Sequence, residues 1–240
     1  MAAPQSSSSS QPQLRHPLIE SLVALAGTPD DTPSVDALLV MIARLTADTV
    51  GPVAYASVTA MRHDRPTTVA ASSDLVRAVD EAQYAEQSGP CIETLDTGAA
   101  IAVPDMTATI AWPNFRAAAF DMGLRASVSV PLFAGSGAPV ASLNLYGHDP
   151  ATMAPLITGV CAVYDQPSPP VPDGLGTGGH ELLAGFNEAF AVRATIQQAI
   201  GLLIARGQHT PDDAYRDLCA SSAAANVPLG TAAALITRSL

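Results

Sequence analysis

The side chains in this 240-residue chain whose types and spacing suit them to chemistry fall into three groups. Near the C-terminal end, Arg193, Arg206 and Arg216 carry planar guanidinium forks that pair well with phosphate, and Gln197 follows Arg193 by one helical turn. Trp112, Phe115 and Tyr146 have the aromatic bulk to line a small-molecule pocket, or to seal a helix against a sheet. Cys91 follows Gly-Pro near an expected helix start, where a thiol pKa can be lowered, although burial is the commoner fate of a lone cysteine.

Several chemistries are set aside on spacing alone. The five histidines, His16, His63, His148, His180 and His209, show no paired spacing, so no metal or haem site is expected, and no cofactor. Cys91, Cys161 and Cys219 lie too far apart for ligand pairs or a disulfide framework and read as small buried residues. No Ser, His and acid arrangement emerges, so an enzyme is not expected. GLGTGG at 174–179 looks like a phosphate loop only superficially, because prolines rather than a strand precede it.

The net charge of −11 comes from 22 acids against 11 bases, and every base is arginine. Such a balance argues against non-specific attraction to duplex nucleic acid but leaves room for a small, shape-selective RNA site. No window approaches the apolar length a bilayer needs, and MAAPQSSSSSQPQ has neither a basic start nor an apolar core, so a cytoplasmic protein without membrane contact is expected.

Residues 1–16 are low in complexity and read as a disordered tail. From 17 to 165 helical and strand patterns alternate. LIESLVALAG and PSVDALLVMIARLTADT are amphipathic helices, the second with Ser34 as a candidate cap. VAYASVTAMR and TTVAASS form a hairpin across HDRP; ASVSVPLFA and PVASLNLYG form another across GSGA. Helices are expected in SDLVRAVDEAQYAEQ, GPCIETL and WPNFRAAAFDMG, and a strand in AIAVPDM. This order implies an α+β domain, an antiparallel sheet with helices packed on it. In 166–179, eight of fourteen residues are Pro or Gly, the composition of a linker. Residues 180–240 hold three helical segments, an all-α unit whose second helix starts at TPDDAYRDL with Thr210 as cap. So small a unit buries little surface, and Phe186, Phe190 and Ile200 lead us to expect self-association as a homodimer.

The run AVRATIQQAIGLLIARGQHTPDDAYRDL resembles the core of the ANTAR domain, an RNA-binding module of bacterial transcription antiterminators. The resemblance rests on Arg193, Ile196, Ala199, Gly201, Leu202, Leu203, Arg206, Ala214, Tyr215 and Leu218. EAQYAEQSGPCIETL, VPD, WPNF, ASVSVPLF and ASLNLYG resemble the GAF domain that precedes ANTAR in many actinobacterial regulators. Together they imply a three-helix C-terminal unit, a GAF-like sensory domain at 17–165 and signal-responsive antitermination. The implied partners are a structured RNA hairpin and an unknown small-molecule or protein signal.

In this setting Arg193, Gln197, Arg206 and Arg216 become candidate RNA contacts, with Arg193 and Arg206 expected on one exposed side of the helix. Tyr215 is placed in the core or on an unpaired base. Trp112, Phe115 and Tyr146 become candidates for the ligand pocket. Ile200 and Cys219 stand where the family usually carries bases, removing two expected cations from the RNA side. Gly201, costly inside a helix, is expected to permit close packing of the next helix.

Overall fold

The computed structural model describes residues 16–165, 171–207 and 210–238. Two helices come first, α1 (Pro17–Ala26) and α2 (Pro33–Thr49), followed by β1 (Tyr55–Arg62) and β2 (Arg65–Ala71). Then follow α3 (Asp74–Glu86), α4 (Pro90–Thr97), β3 (Ile101–Val103), α5 (Pro113–Asp121), β4 (Ala126–Phe133), β5 (Pro139–Gly147) and α6 (Pro150–Asp165). The C-terminal part consists of α7 (Gly176–Gly207), α8 (Pro211–Ala225) and α9 (Leu229–Arg238). The strands form one antiparallel sheet in the order β2-β1-β5-β4-β3, so the expected α+β architecture with a helical C-terminal part is what the chain adopts.

Alternation in the strands decides which face meets which layer. Ala56, Val58, Ala60, Val128, Val130, Leu132, Ala141, Leu143 and Leu145 form one apolar face, buried under α1, α2, α6 and the first half of α7. The alternate positions are polar: Ser57, Thr59, Ser127, Ser129, Ser142, Asn144 and Tyr146 are also buried, under α3 and α4. Val76, Val79, Phe115, Ala119 and Tyr146 make a smaller core between α3, α5 and that second face.

Three sequence expectations change. Thr32, not Ser34, is the N-cap of α2, because Pro33 takes the first helical position. Gly176–Gly179, read as the end of the linker, open α7 instead; the prolines at 167, 169 and 170 lie outside the described residues, as do the tail at 1–15 and His209. The reason is close approach: a Cβ on Gly178 would sit 1.9 Å from the Thr49 carbonyl oxygen. Cys161 and Cys219 are only half-buried, whereas Cys91 is fully enclosed.

The 32-residue α7 serves two cores. Leu182, Leu183 and Phe186 pack into the sheet-side core, and Ile196, Ala199 and Ile200 pack with Ala214, Leu218, Leu229, Ala232 and Ala233 of α8 and α9. Thr210 caps α8, its hydroxyl accepting from the Asp213 amide at 3.2 Å. Phe186 and Ile200 are therefore buried within one chain and Phe190 packs edge-to-face with Tyr164, so these three side chains need no second chain to cover them. No single described helix is long and apolar enough to cross a membrane; α8 and α9 reach that length only as a pair bent by 104°.

Candidate nucleic-acid interface and sensory face

Arg193 and Gln197 lie one turn apart on α7 and both reach the turn between β4 and β5. Arg193 Nη2 donates to the Gly137 carbonyl at 2.8 Å, and its guanidinium lies over the Phe133 ring, 3.9 Å from the centroid. Desolvation lowers the Arg193 pKa from its ordinary value, opposed by Tyr164 nearby, and its Nε is buried without a hydrogen-bond partner. Gln197 Nε2 donates to the Ser136 carbonyl at 2.7 Å.

Tyr215 of α8 joins the same place. Its hydroxyl donates to Asp30 Oδ1 at 3.3 Å, and that oxygen also accepts the Ser136 amide at 2.8 Å. Burial pushes the Tyr215 phenol pKa up, so it stays a donor. Gly135 is buried at the centre: a Cβ there would stand 2.6 Å from Leu229 Cδ2 and 2.9 Å from the Tyr215 hydroxyl. Its amide donates to the Thr28 carbonyl, and the Leu229 amide to the Gly27 carbonyl.

The two remaining cations stand elsewhere. Arg206 is exposed in the last turn of α7, about 140° around the helix from Arg193 at 3.6 residues per turn, so the expectation of one shared face is corrected. Arg216 is exposed on α8 and pairs with Asp213 at 2.9 Å. Ile200 is only 7% exposed and sits in the C-terminal core, so it withholds no cation from a surface. Cys219 packs at the edge of that core beside Tyr215. Gly201 overturns its expectation as well: it is exposed, and a Cβ there would meet nothing within 4 Å. Helix packing does not account for this glycine.

Trp112, Phe115 and Tyr146 do come together. Trp112 meets Phe115 edge-on with centroids 6.5 Å apart, and Phe115 meets Tyr146 at the same separation. Phe115 and Tyr146 are fully buried, while half-buried Trp112 donates from Nε1 to Glu93 Oε1 at 2.9 Å. They form a packed aromatic wall at the edge of a polar network that the sequence reading missed.

At the centre of that network is Asp80 of α3. Its carboxylate accepts from Tyr146 Oη at 2.8 Å, Ser57 Oγ at 3.1 Å and Thr68 Oγ1 at 2.9 Å. Asn144 donates to Ser57 and Thr59, Tyr84 shares hydroxyl bonds with Thr59 and Thr68, and Gln83 accepts the Cys91 amide. Burial pushes the Asp80 pKa up to about 6, against the opposing hydroxyls of Ser57, Tyr146 and Thr68 and the charge of Arg77. Burial and the charge of Asp80 push the Cys91 thiol pKa up, opposite to what a reactive thiol requires. The signal for this network was present in the sequence: Val76, Val79, Asp80 and Gln83 fall on one helical stripe, so an acid and an amide occupy core positions.

Comparison with protein families follows the two halves of this geometry. A model of the GAF domain matches residues 32–155, more than half of the chain, and a model of the ANTAR domain matches residues 184–236. A search of curated proteins finds no match. GAF domains sense signals and ANTAR domains bind RNA in antitermination; neither is catalytic. The chain, with its antiparallel sheet under helices and its helical C-terminal part, belongs to the GAF domain family and carries an ANTAR domain after it.

Proposed function

We propose that this protein is a signal-responsive antitermination regulator that binds a structured RNA hairpin with an unpaired loop through α7 and α8. The observation that carries this reading is Gly201: a bare, exposed glycine in the interior of α7 within the ANTAR match, with open space where a side chain would stand. A helix does not favour glycine there, so a partner that approaches the backbone supplies the reason for it. Gln197, Arg193, Arg206 and Arg216 would supply donors to phosphates and bases, and the polar network around Asp80 would receive the signal.

The test is filter binding to a pool of RNA hairpins with randomised loops. The protein should enrich a loop sequence, and Gly201→Ala should weaken binding to it at least 5-fold while raising helix stability. Equal affinity for hairpin and unstructured RNA, or an unaffected Gly201→Ala variant, would remove the basis for this reading. A second reading, a homodimeric interaction module, draws support from Val40 and Met41, 50% and 47% exposed side by side on α2.

A further inference from the structure

We infer that the β4–β5 turn is a latch over the candidate RNA surface, and that the chain binds RNA well only when this turn withdraws. The inference rests on the RNA reading above and adds its control. The turn Ala134–Ala138 touches all three C-terminal helices: Arg193 and Gln197 of α7 donate to it, Tyr215 of α8 meets it through Asp30, and Leu229 of α9 packs on Gly135. Two of the four candidate RNA contacts thus have donors committed to backbone carbonyls of the sensory domain.

The closed contact is tight but incompletely satisfied. Arg193 Nη2 has the Gly137 carbonyl, yet the buried Nε has no acceptor. A guanidinium offers a fork, and the turn fills one prong; a phosphate can accept from both. Gly135 and Gly137 bracket Ser136, and Gly137 holds φ +85, which glycine adopts readily, so the turn has the backbone freedom to move without unfolding the strands. Its strands lead back to the polar network, since β5 carries Asn144 and Tyr146. A two-state turn of this kind lowers the apparent RNA affinity by the fraction of molecules that are open, and RNA in return must favour the open form.

The experiment uses the full chain and two variants outside the RNA contact set, Asp30→Ala and Gly135→Val. Asp30→Ala removes the acceptor shared by Ser136 and Tyr215; Gly135→Val forces a side chain against Leu229 and Thr28. Affinity for the randomised-loop hairpin pool and hydrogen exchange of the Ser136 amide are measured together. Both variants should bind at least 10-fold tighter than the unmodified chain. Exchange at Ser136 should accelerate at least 10-fold in Asp30→Ala, and saturating RNA should accelerate it in the unmodified chain. Should Gly135→Val fail to fold, Asp30→Ala and the RNA-induced exchange still decide. If the unmodified chain binds as tightly as the variants, or RNA leaves Ser136 exchange unchanged, the latch is overturned and the RNA reading stands. If no chain binds RNA even with Ser136 exchange accelerated, both are overturned.

Discussion

A carboxyl group is expensive to bury charged, and Asp80, with only the charge of Arg77 to offset burial beside its hydroxyl donors, shows how this chain handles the cost. Three hydroxyls donate to it, yet desolvation outweighs them and its pKa rises from 3.8 to about 6. The folded protein therefore holds this proton more tightly than the unfolded chain does. The resulting stabilisation is complete below the unfolded value near 3.8 and is lost as pH rises through about 6. At 1.36 kcal/mol per pKa unit the loss amounts to roughly 3 kcal/mol. Urea unfolding at pH 4 and at pH 7 should show the native chain losing about that much relative to Asp80→Asn, which cannot titrate. Parallel pH profiles for the two proteins would contradict the assignment.

Helix α7 contains glycines with opposite reasons for being glycine. Gly178 lies against the Thr49 carbonyl, where a Cβ would fall 1.9 Å from oxygen, and Gly201 faces open space. One substitution at two positions in one helix should then give opposite signs. Gly178→Ala should destabilise by about 1–3 kcal/mol, because backbone must move to admit the methyl group. Gly201→Ala should stabilise by about 0.5–1 kcal/mol through helix propensity. Thermal unfolding of both variants checks this, and a destabilised Gly201→Ala would reveal a contact that the fold does not contain.

At the scale of the whole molecule, 22 acids face 11 arginines, and only Arg193, Arg206, Arg216 and Arg238 fall in the C-terminal helices. Binding driven by so few cations has a shallow salt dependence. A log-log slope of affinity against salt no steeper than about −3 is expected, at about −0.7 per phosphate neutralised on a single strand. A much steeper slope would require cations beyond α7 to α9. The reading of the chain as a homodimer now rests on α2, where Val40 and Met41 are exposed, rather than on the C-terminal helices. Sedimentation at tens of micromolar should show association that Met41→Glu abolishes; a monomer at that concentration would leave the α2 patch as ordinary surface.

The sequence by itself determined the sheet and its helices. Alternation in ASVSVPLF and PVASLNLYG fixed which residues share a face, and the capped start at Thr210 and Pro211 placed α8. The motif residues around Gly201 identified the ANTAR domain that the family model also matches. Periodicity reports only which side of an element is apolar, however, and not what covers a polar stripe. The stripe of Val76, Val79, Asp80 and Gln83 marks core positions, but the hydroxyls of β1, β2 and β5 that receive Asp80 are not legible from it, nor is the open space beside Gly201. Tertiary structure alone decided that Arg193 and Gln197 meet the β4–β5 turn and that Tyr215 bonds Asp30, a pair 185 positions apart in sequence. It also decided that the GTGG segment starts a helix instead of ending a linker. Glycine at 178 answers a close approach to Thr49, on a different helix, which the local sequence does not report.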